Sequence, residues 1–273
     1  LKNQSRHKDA MRVLKRTSRT FYIPITLLKK TLKETVASAY LCMRAIDEIE
    51  DHEQLSNHEK SVLLEGIGHL LRNTFTTEEY LTLIQPYKQH LPEVTVKLGD
   101  WIDYCPDGIV EDVKASTATM ADGMAKWARQ NWEIKTKEDL DDYTYYVAGL
   151  VGVMLSDIWK WYDGTETDKD LAIGFGRGLQ IVNILRNQDE DLERGVSFLP
   201  EDWNRDDLFE YAEYQLSLAN QYIQSVDNRN IVTFCKIPYK LADKTLNVMK
   251  SGREKMTREE VGQVVDEVTN QSE

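Results

Sequence analysis

Two groups of oxygen-bearing side chains carry the chemistry open to this sequence. The first lies in YLCMRAIDEIED, where Tyr40, Arg44, Asp47 and Asp51 stand at offsets 0, 4, 7 and 11. At about 100° per residue these positions share one helix face. Asp47 and Asp51 are one turn apart, so their side chains meet about 5–6 Å apart. Two like charges at that spacing repel unless a cation sits between them. Glu48 and Glu50 are expected to point elsewhere. A solvated acidic stripe is the plain alternative, but the apolar run TVASAYLCMRAI leads straight into the pair and must be largely buried.

The second group lies in GLQIVNILRNQDEDLERG. Gln180, Asn183, Asn187 and Asp191 fall at offsets 0, 3, 7 and 11, again one helix face, with Arg186 and Glu190 beside it. Two such stripes suggest a cleft lined from both sides. Oxygen donors without histidine suggest Mg²⁺. All five histidines (7, 52, 58, 69 and 90) lie in the first third of the chain. The second stripe therefore cannot be a histidine-containing zinc or di-iron centre. A calcium loop starting at Asn187, Asp189 and Asp191 fails too, because Leu192 stands where Gly is needed and Phe198 where Glu is needed.

Two further segments are chemically suggestive. In DDYTYYVAGLVGVMLSDIW, Tyr143, Tyr146, Val147 and Leu150 share a face, and Gly149 and Gly152 admit a close neighbour. That helix reads equally well as a packing element and as a pocket wall. TSRTF, residues 17–21, sets hydroxyls and Arg19 ahead of a helical segment. Such a group can hold phosphate oxygens or serve as a plain helix cap, and by itself the cap is the simpler reading.

The elements that must position these residues are helices. The six prolines leave residues 107–199 free of any, and apolar residues recur there every three or four positions. Helices are expected at 8–17, 31–51, 56–74, 77–84, 93–104, 109–133, 137–161, 167–193, 207–226, 230–250 and 256–270. No repeat, tether or charge block interrupts them, so one all-α domain over 1–273 is expected. The chain carries 34 basic and 46 acidic residues, net −12. That balance repels phosphate backbones and argues against a nucleic-acid partner, while clustered carboxylates suit a hard divalent cation. Cys42, Cys105 and Cys235 stand far apart without a CxxC pair and read as reduced core thiols of a cytoplasmic protein. No signal-peptide core is evident, and the longest notable uncharged stretch, 143–156, is shorter than the roughly 20 residues a bilayer crossing needs.

Taken together, the motifs resemble the squalene/phytoene synthase family of head-to-head prenyl synthases, in order, over roughly residues 10–240. TSRTF resembles its S-[RK]-[ST]-F segment, RAIDEIED its first aspartate-rich helix, YVAGLVG a family signature, and NILRNQDEDLERGVSFLP its second aspartate-rich helix. IVTFCKIP, residues 231–238, resembles the squalene-synthase branch. The resemblance implies a single-domain isoprenoid-synthase helical bundle with a central apolar cavity, binding a prenyl diphosphate, farnesyl diphosphate foremost. By position, Asp47, Asp51, Asn183, Asn187 and Asp191 would hold Mg²⁺. Ser18, Arg19, Thr20 and Arg44 would contact diphosphate oxygens. Tyr143 takes the place of a tyrosine with an acid/base role, and Phe21, Tyr40 and Gln180 would line the reaction zone. Arg44, Asp47, Asp51 and Tyr143 form the expected catalytic set.

One position departs from that pattern. Where the family's second motif has its first aspartate, this chain has Asn187. Asn keeps a carbonyl oxygen and loses the charge, which weakens one Mg²⁺ site by about 1–3 kcal/mol. Asp189 points about 200° away and is no simple replacement. Head-to-head condensation must seat two substrates and ionise twice; ionising one and letting water capture the cation asks less. The expectation is therefore Mg²⁺-dependent hydrolysis of farnesyl diphosphate to farnesol. The alternative is condensation of two farnesyl diphosphates, as in squalene or dehydrosqualene synthases, which would bring in NADPH for the squalene route. A non-catalytic stabiliser of another synthase is a third reading, against which stand Arg44, Asp47, Asp51, Tyr143 and Asp191. Peripheral contact with a membrane for product release is compatible with all of these.

Overall fold

A computed structural model describes residues 2–271, and it holds helices and no strand among the described residues. Contacts gather into two compact units, 1–131 and 132–273.

In the first unit, α1 (Lys2–Thr17), α2 (Arg19–Thr26), α3 (Lys30–Glu50), α4 (Asn57–Arg72), α5 (Thr77–Ile84), a 3₁₀ turn (Gln85–His90), α6 (Glu93–Val96), α7 (Leu98–Tyr104) and α8 (Val110–Arg129) follow in order. The central element is α3, which packs against α1, α6, α7 and α8. Leu41, Ala45, Ile46 and Ile49 on it are fully buried. At about 25 cal/mol per Å² of apolar surface removed from water, each such Leu or Ile contributes about 2–3 kcal/mol. The backbone is also tied side to side: Thr95 Oγ1 donates to the Ala45 carbonyl at 2.8 Å, and Tyr80 OH donates to the Thr95 carbonyl at 2.5 Å. Ser56 and Glu59 cap α4 reciprocally.

The second unit contains α9 (Lys137–Thr144), a π turn (Tyr145–Gly149), α10 (Leu150–Asp163), α11 (Lys169–Arg186), α12 (Gln188–Glu193), α13 (Arg205–Gln224), α14 (Arg229–Lys250) and α15 (Arg258–Asn270). Here α11 is central, packed on α10, the π turn, α13 and α14. Its small residues make this possible. A Cβ on Gly176 would lie 2.0 Å from the Ala148 carbonyl oxygen, and one on Gly152 1.9 Å from that of Ala172. The close approach expected at Gly152 is therefore real, and its neighbour is helix backbone.

The structure departs from the expected elements in four places. The 93–104 helix breaks at Lys97, whose φ of −91° and ψ of 18° end α6 and precede α7. A separate α2 forms over 19–26, started by the Ser18 cap. The 137–161 helix contains a π turn, which adds a residue and shifts the faces on either side of it. The 167–193 helix bends at Asn187, whose φ of −97° and ψ of 5° end α11 and begin α12. The three cysteines are buried and unbridged, as expected. No helix among the described residues is long and apolar enough to cross a membrane.

Candidate functional site

The first cluster is built on the last turns of α3. Arg44 donates from Nη1 to Asp47 Oδ2 at 3.2 Å, and from Nε and Nη2 to Glu48 Oε1 at 3.0 and 2.7 Å. Burial works against the Arg44 charge, but Asp47, Tyr40 and Glu48 outweigh it and hold the guanidinium firmly protonated. Asp51 closes the helix, its N–H bonded to the Asp47 carbonyl at 3.1 Å.

Asp47, Glu50 and Asp51 bring one carboxylate oxygen each within 4.8 Å of one another. This corrects the expectation that Glu50 points elsewhere, while Glu48 does stand outside the trio. Glu50 is three residues from Asp47, about 60° round the helix, and so belongs to the same face; Glu48 is drawn to Arg44 one turn back. Glu50 is buried, and the buried Lys60 ammonium donates to its backbone carbonyl at 2.6 Å.

Removal from water, followed by the Asp51 charge, pushes the Asp47 carboxyl up to about 7, and Arg44 only partly opposes this. A trio of hard oxygens with one member reluctant to ionise is a site whose charge a bound cation would relieve. That donor set fits Mg²⁺ or Ca²⁺ and does not fit a soft metal.

The helix before this cluster contributes Ser18 and Phe21. Ser18 is buried and its Oγ accepts the Phe21 N–H at 3.1 Å, so its hydroxyl serves as the cap of α2. Phe21 lies 5.4 Å from the Tyr40 ring, tilted by 40°. Burial raises the Tyr40 phenol, and its hydrogen bond with Ser18 works the other way. Ser18, Phe21 and Tyr40 thus form one patch a turn away from Arg44, while Arg19 and Thr20 are exposed.

In the second unit the i to i+4 backbone bonds of the expected stripe continue across the bend. Asn187 N–H bonds to the Asn183 carbonyl at 3.0 Å, and Asp191 N–H to that of Asn187 at 2.9 Å. Asn183 is exposed, Gln180 and Asn187 are half-buried and Asp191 is buried. Arg194 Nη2 donates to Asp191 Oδ1 at 2.5 Å, and the Asp191 carbonyl accepts from Val196 at 2.8 Å. Asp191 therefore also organises the turn after α12.

Tyr143, buried at the end of α9, stacks on Phe198 with centroids 5.0 Å apart and planes 16° apart. Phe198 was visible in the sequence only as a misfit to a calcium loop. Arg177 on α11 braces the same segment, donating to the Asp141 carbonyl at 2.5 Å and to Thr144 Oγ1 at 3.2 Å. No local pattern predicts that brace, because its ends lie more than 30 residues apart.

Comparison with known proteins gives a consistent set of likenesses. The squalene/phytoene synthase family profile matches residues 14–208. The squalene synthase of Dictyostelium discoideum is 30% identical over 271 residues, covering 86% of this chain and 62% of that protein. That of Rattus norvegicus is 26% identical, covering 88% of this chain and 62% of that protein. The chain thus spans about three fifths of the length of these relatives. Among solved structures, the complex of TcSQS with the ligand BPH1237 superposes with a TM-score of 0.79 at 21% identity, covering 97% of this chain and 86% of that one. A dehydrosqualene synthase in complex with ligand superposes with a TM-score of 0.68 at 19% identity, covering 99% and 97%. At those identities the superpositions establish the all-α isoprenoid-synthase fold.

Proposed function

Because this chain belongs to the squalene/phytoene synthase family, we propose that it binds an allylic prenyl diphosphate, farnesyl diphosphate foremost, and ionises it with the help of Mg²⁺. The observation that carries this reading is the carboxylate trio Asp47, Glu50 and Asp51 beside a protonated Arg44. On this reading Asp47, Glu50 and Asp51 are Mg²⁺ ligands on α3, and Asn183, Asn187 and Asp191 are Mg²⁺ ligands on α11 and α12. When bound, the ion supplies positive charge to a leaving group that gathers negative charge as it departs. The chain's own residues do the rest. Arg44, with Arg19, Ser18 and Thr20, donates to diphosphate oxygens. The faces of Phe21, Tyr40 and the Tyr143–Phe198 stack favour a nearby carbocation. Tyr143 takes or returns a proton, and Gln180 orients the chain near C1.

Two fates are open to the allylic cation. Taken alone, the names of the relatives support condensation better than hydrolysis, and in that case NADPH accompanies the squalene route. Asn187 favours hydrolysis. It stands at the bend between α11 and α12 with an amide where the family pattern has a carboxylate, and a site short of one charge is better suited to a single ionisation. In hydrolysis the C1–O bond breaks, diphosphate leaves with the electron pair, and a water oxygen bonds to C1 and gives up a proton. We carry hydrolysis to farnesol, in the cytoplasm, as the principal reading and condensation as the second. Incubation with farnesyl diphosphate, Mg²⁺ and NADPH, followed by product analysis, decides between them. Farnesol with diphosphate supports the first. Squalene or presqualene diphosphate as the main product refutes it and supports the second.

A further inference from the structure

The charges of this chain are segregated along the sequence. Residues 1–33 hold ten of the 34 basic residues and one acid, Asp9, for a net +9; the remaining 24 basic and 45 acidic residues leave −21 for the rest. Part of the basic segment is spent internally. Arg6 pairs with Asp103 at 3.8 Å, and Arg12 with Asp9 and Glu93 at 2.6 and 2.8 Å. Lys15, Arg16, Arg19, Lys29 and Lys30 are exposed, and among the described residues they enter no ion pair. They bracket α2 at both ends.

Between them α2 turns an apolar stripe to solvent. Pro24, Ile25 and Leu28 are buried on its inner side, whereas Ile23 and Leu27 are each 41% exposed. Arg19, Ile23 and Leu27 follow at intervals of four, so they stand on one face. Lys15 reaches back over the Tyr22 ring at 5.8 Å, joining the end of α1 to the same surface. Lone exposed apolar residues need no explanation. Two on one helix face, with the unpaired Lys15, Arg16, Lys29 and Lys30 around them in a protein of net −12, do need one.

We propose that this face of α2 docks on an anionic lipid bilayer, with Ile23 and Leu27 entering the headgroup region and Lys15, Arg16, Lys29 and Lys30 on lipid phosphates. The pattern is that of an interfacial element, which lies on a membrane and does not span it. An acidic protein meets an anionic surface with net repulsion, so the concentrated cations also set which side approaches. The inference does not depend on which prenyl reaction the chain performs.

The test is co-flotation of the whole chain with vesicles of phosphatidylcholine alone or with one third phosphatidylglycerol. Binding is expected to the anionic vesicles only and to fall as NaCl rises. Each lysine near such a surface is worth about fivefold, so K29Q/K30Q should weaken binding about thirtyfold. I23S/L27S should weaken it about tenfold or more, whereas K169Q/K240Q, with the same charge change elsewhere on the surface, should leave it unchanged. All six positions are exposed, and unaltered thermal melts establish folding. Equal binding to uncharged vesicles, wild-type binding by K29Q/K30Q, or equal loss in K169Q/K240Q overturns the proposal. So does capture by a short DNA duplex without capture by anionic vesicles, which would make the patch a general polyanion site.

Discussion

Replacing Asp47 with Asn should stabilise the metal-free protein at alkaline pH, although it removes a partner from Arg44. Burial and then Asp51 raise the Asp47 carboxyl from 3.8 to about 7. At about 1.4 kcal/mol per unit, a rise of roughly three units costs the folded state about 4 kcal/mol once the group ionises. The side chain keeps 31% of its surface exposed, so water screens part of this, and about 2 kcal/mol is the more physical figure. Because the folded value lies above the unfolded one, the stability is whole below about pH 4 and is lost as pH climbs through 7. Asn escapes that loss, and Arg44 keeps Glu48 at 2.7 Å. Thermal unfolding in EDTA should therefore show D47N melting with the wild type at about pH 4, pulling ahead between pH 4 and 7, and roughly 4–8 °C above it at pH 8.5. Added Mg²⁺ should reverse the order, since the wild type gains more from the ion. If D47N melts below the wild type in EDTA at pH 8.5, or the two track each other across the pH range, the carboxylate trio is not under the strain inferred here.

Asn187→Asp restores a carboxylate at the bend and should tighten Mg²⁺ binding roughly tenfold or more, measured by titration calorimetry, and move product from farnesol toward a condensed prenyl chain; an unchanged product spectrum separates Asn187 from the reaction outcome. Arg44→Lys keeps the charge but loses the fork that spans Asp47 and Glu48, and kcat/KM for a prenyl diphosphate should fall about 10–100-fold; wild-type turnover would remove Arg44 from diphosphate binding. Gly176→Ala drives a methyl against the Ala148 carbonyl and should cost about 2–4 kcal/mol in urea unfolding; a loss under 0.5 kcal/mol would mean that α11 and the π turn are less closely seated than described.

Much of this molecule follows from periodicity. The long helices α3, α4, α8, α13 and α14 lie within a few residues of their expected bounds, because each carries an apolar face over many turns. The Asp47–Asp51 pair was readable for the same reason: one turn of helix fixes the spacing of two side chains. What was misjudged is instructive. Glu50 belongs to the same face and was overlooked because i, i+3 neighbours sit off the line of the i, i+4 stripe. The Ser18 hydroxyl caps α2, as the simpler reading of TSRTF has it, whereas α2 itself is hidden by its shortness and by Pro24. The π turn after Tyr143 and the bend at Asn187 leave no mark in apolar spacing, because each depends on what α11 packs against.

The order of residue types alone determined that this chain is all-α, that its carboxylates cluster on helix faces, and that its motifs run in the order of one prenyl-synthase family. Those properties are local, since helix geometry converts spacing directly into direction. Only the tertiary structure decided how hard the carboxylates press on one another, that Phe198 covers Tyr143, and that Arg177 holds the turn beneath it. Burial and long-range neighbours set those quantities, and both come from segments tens of residues away.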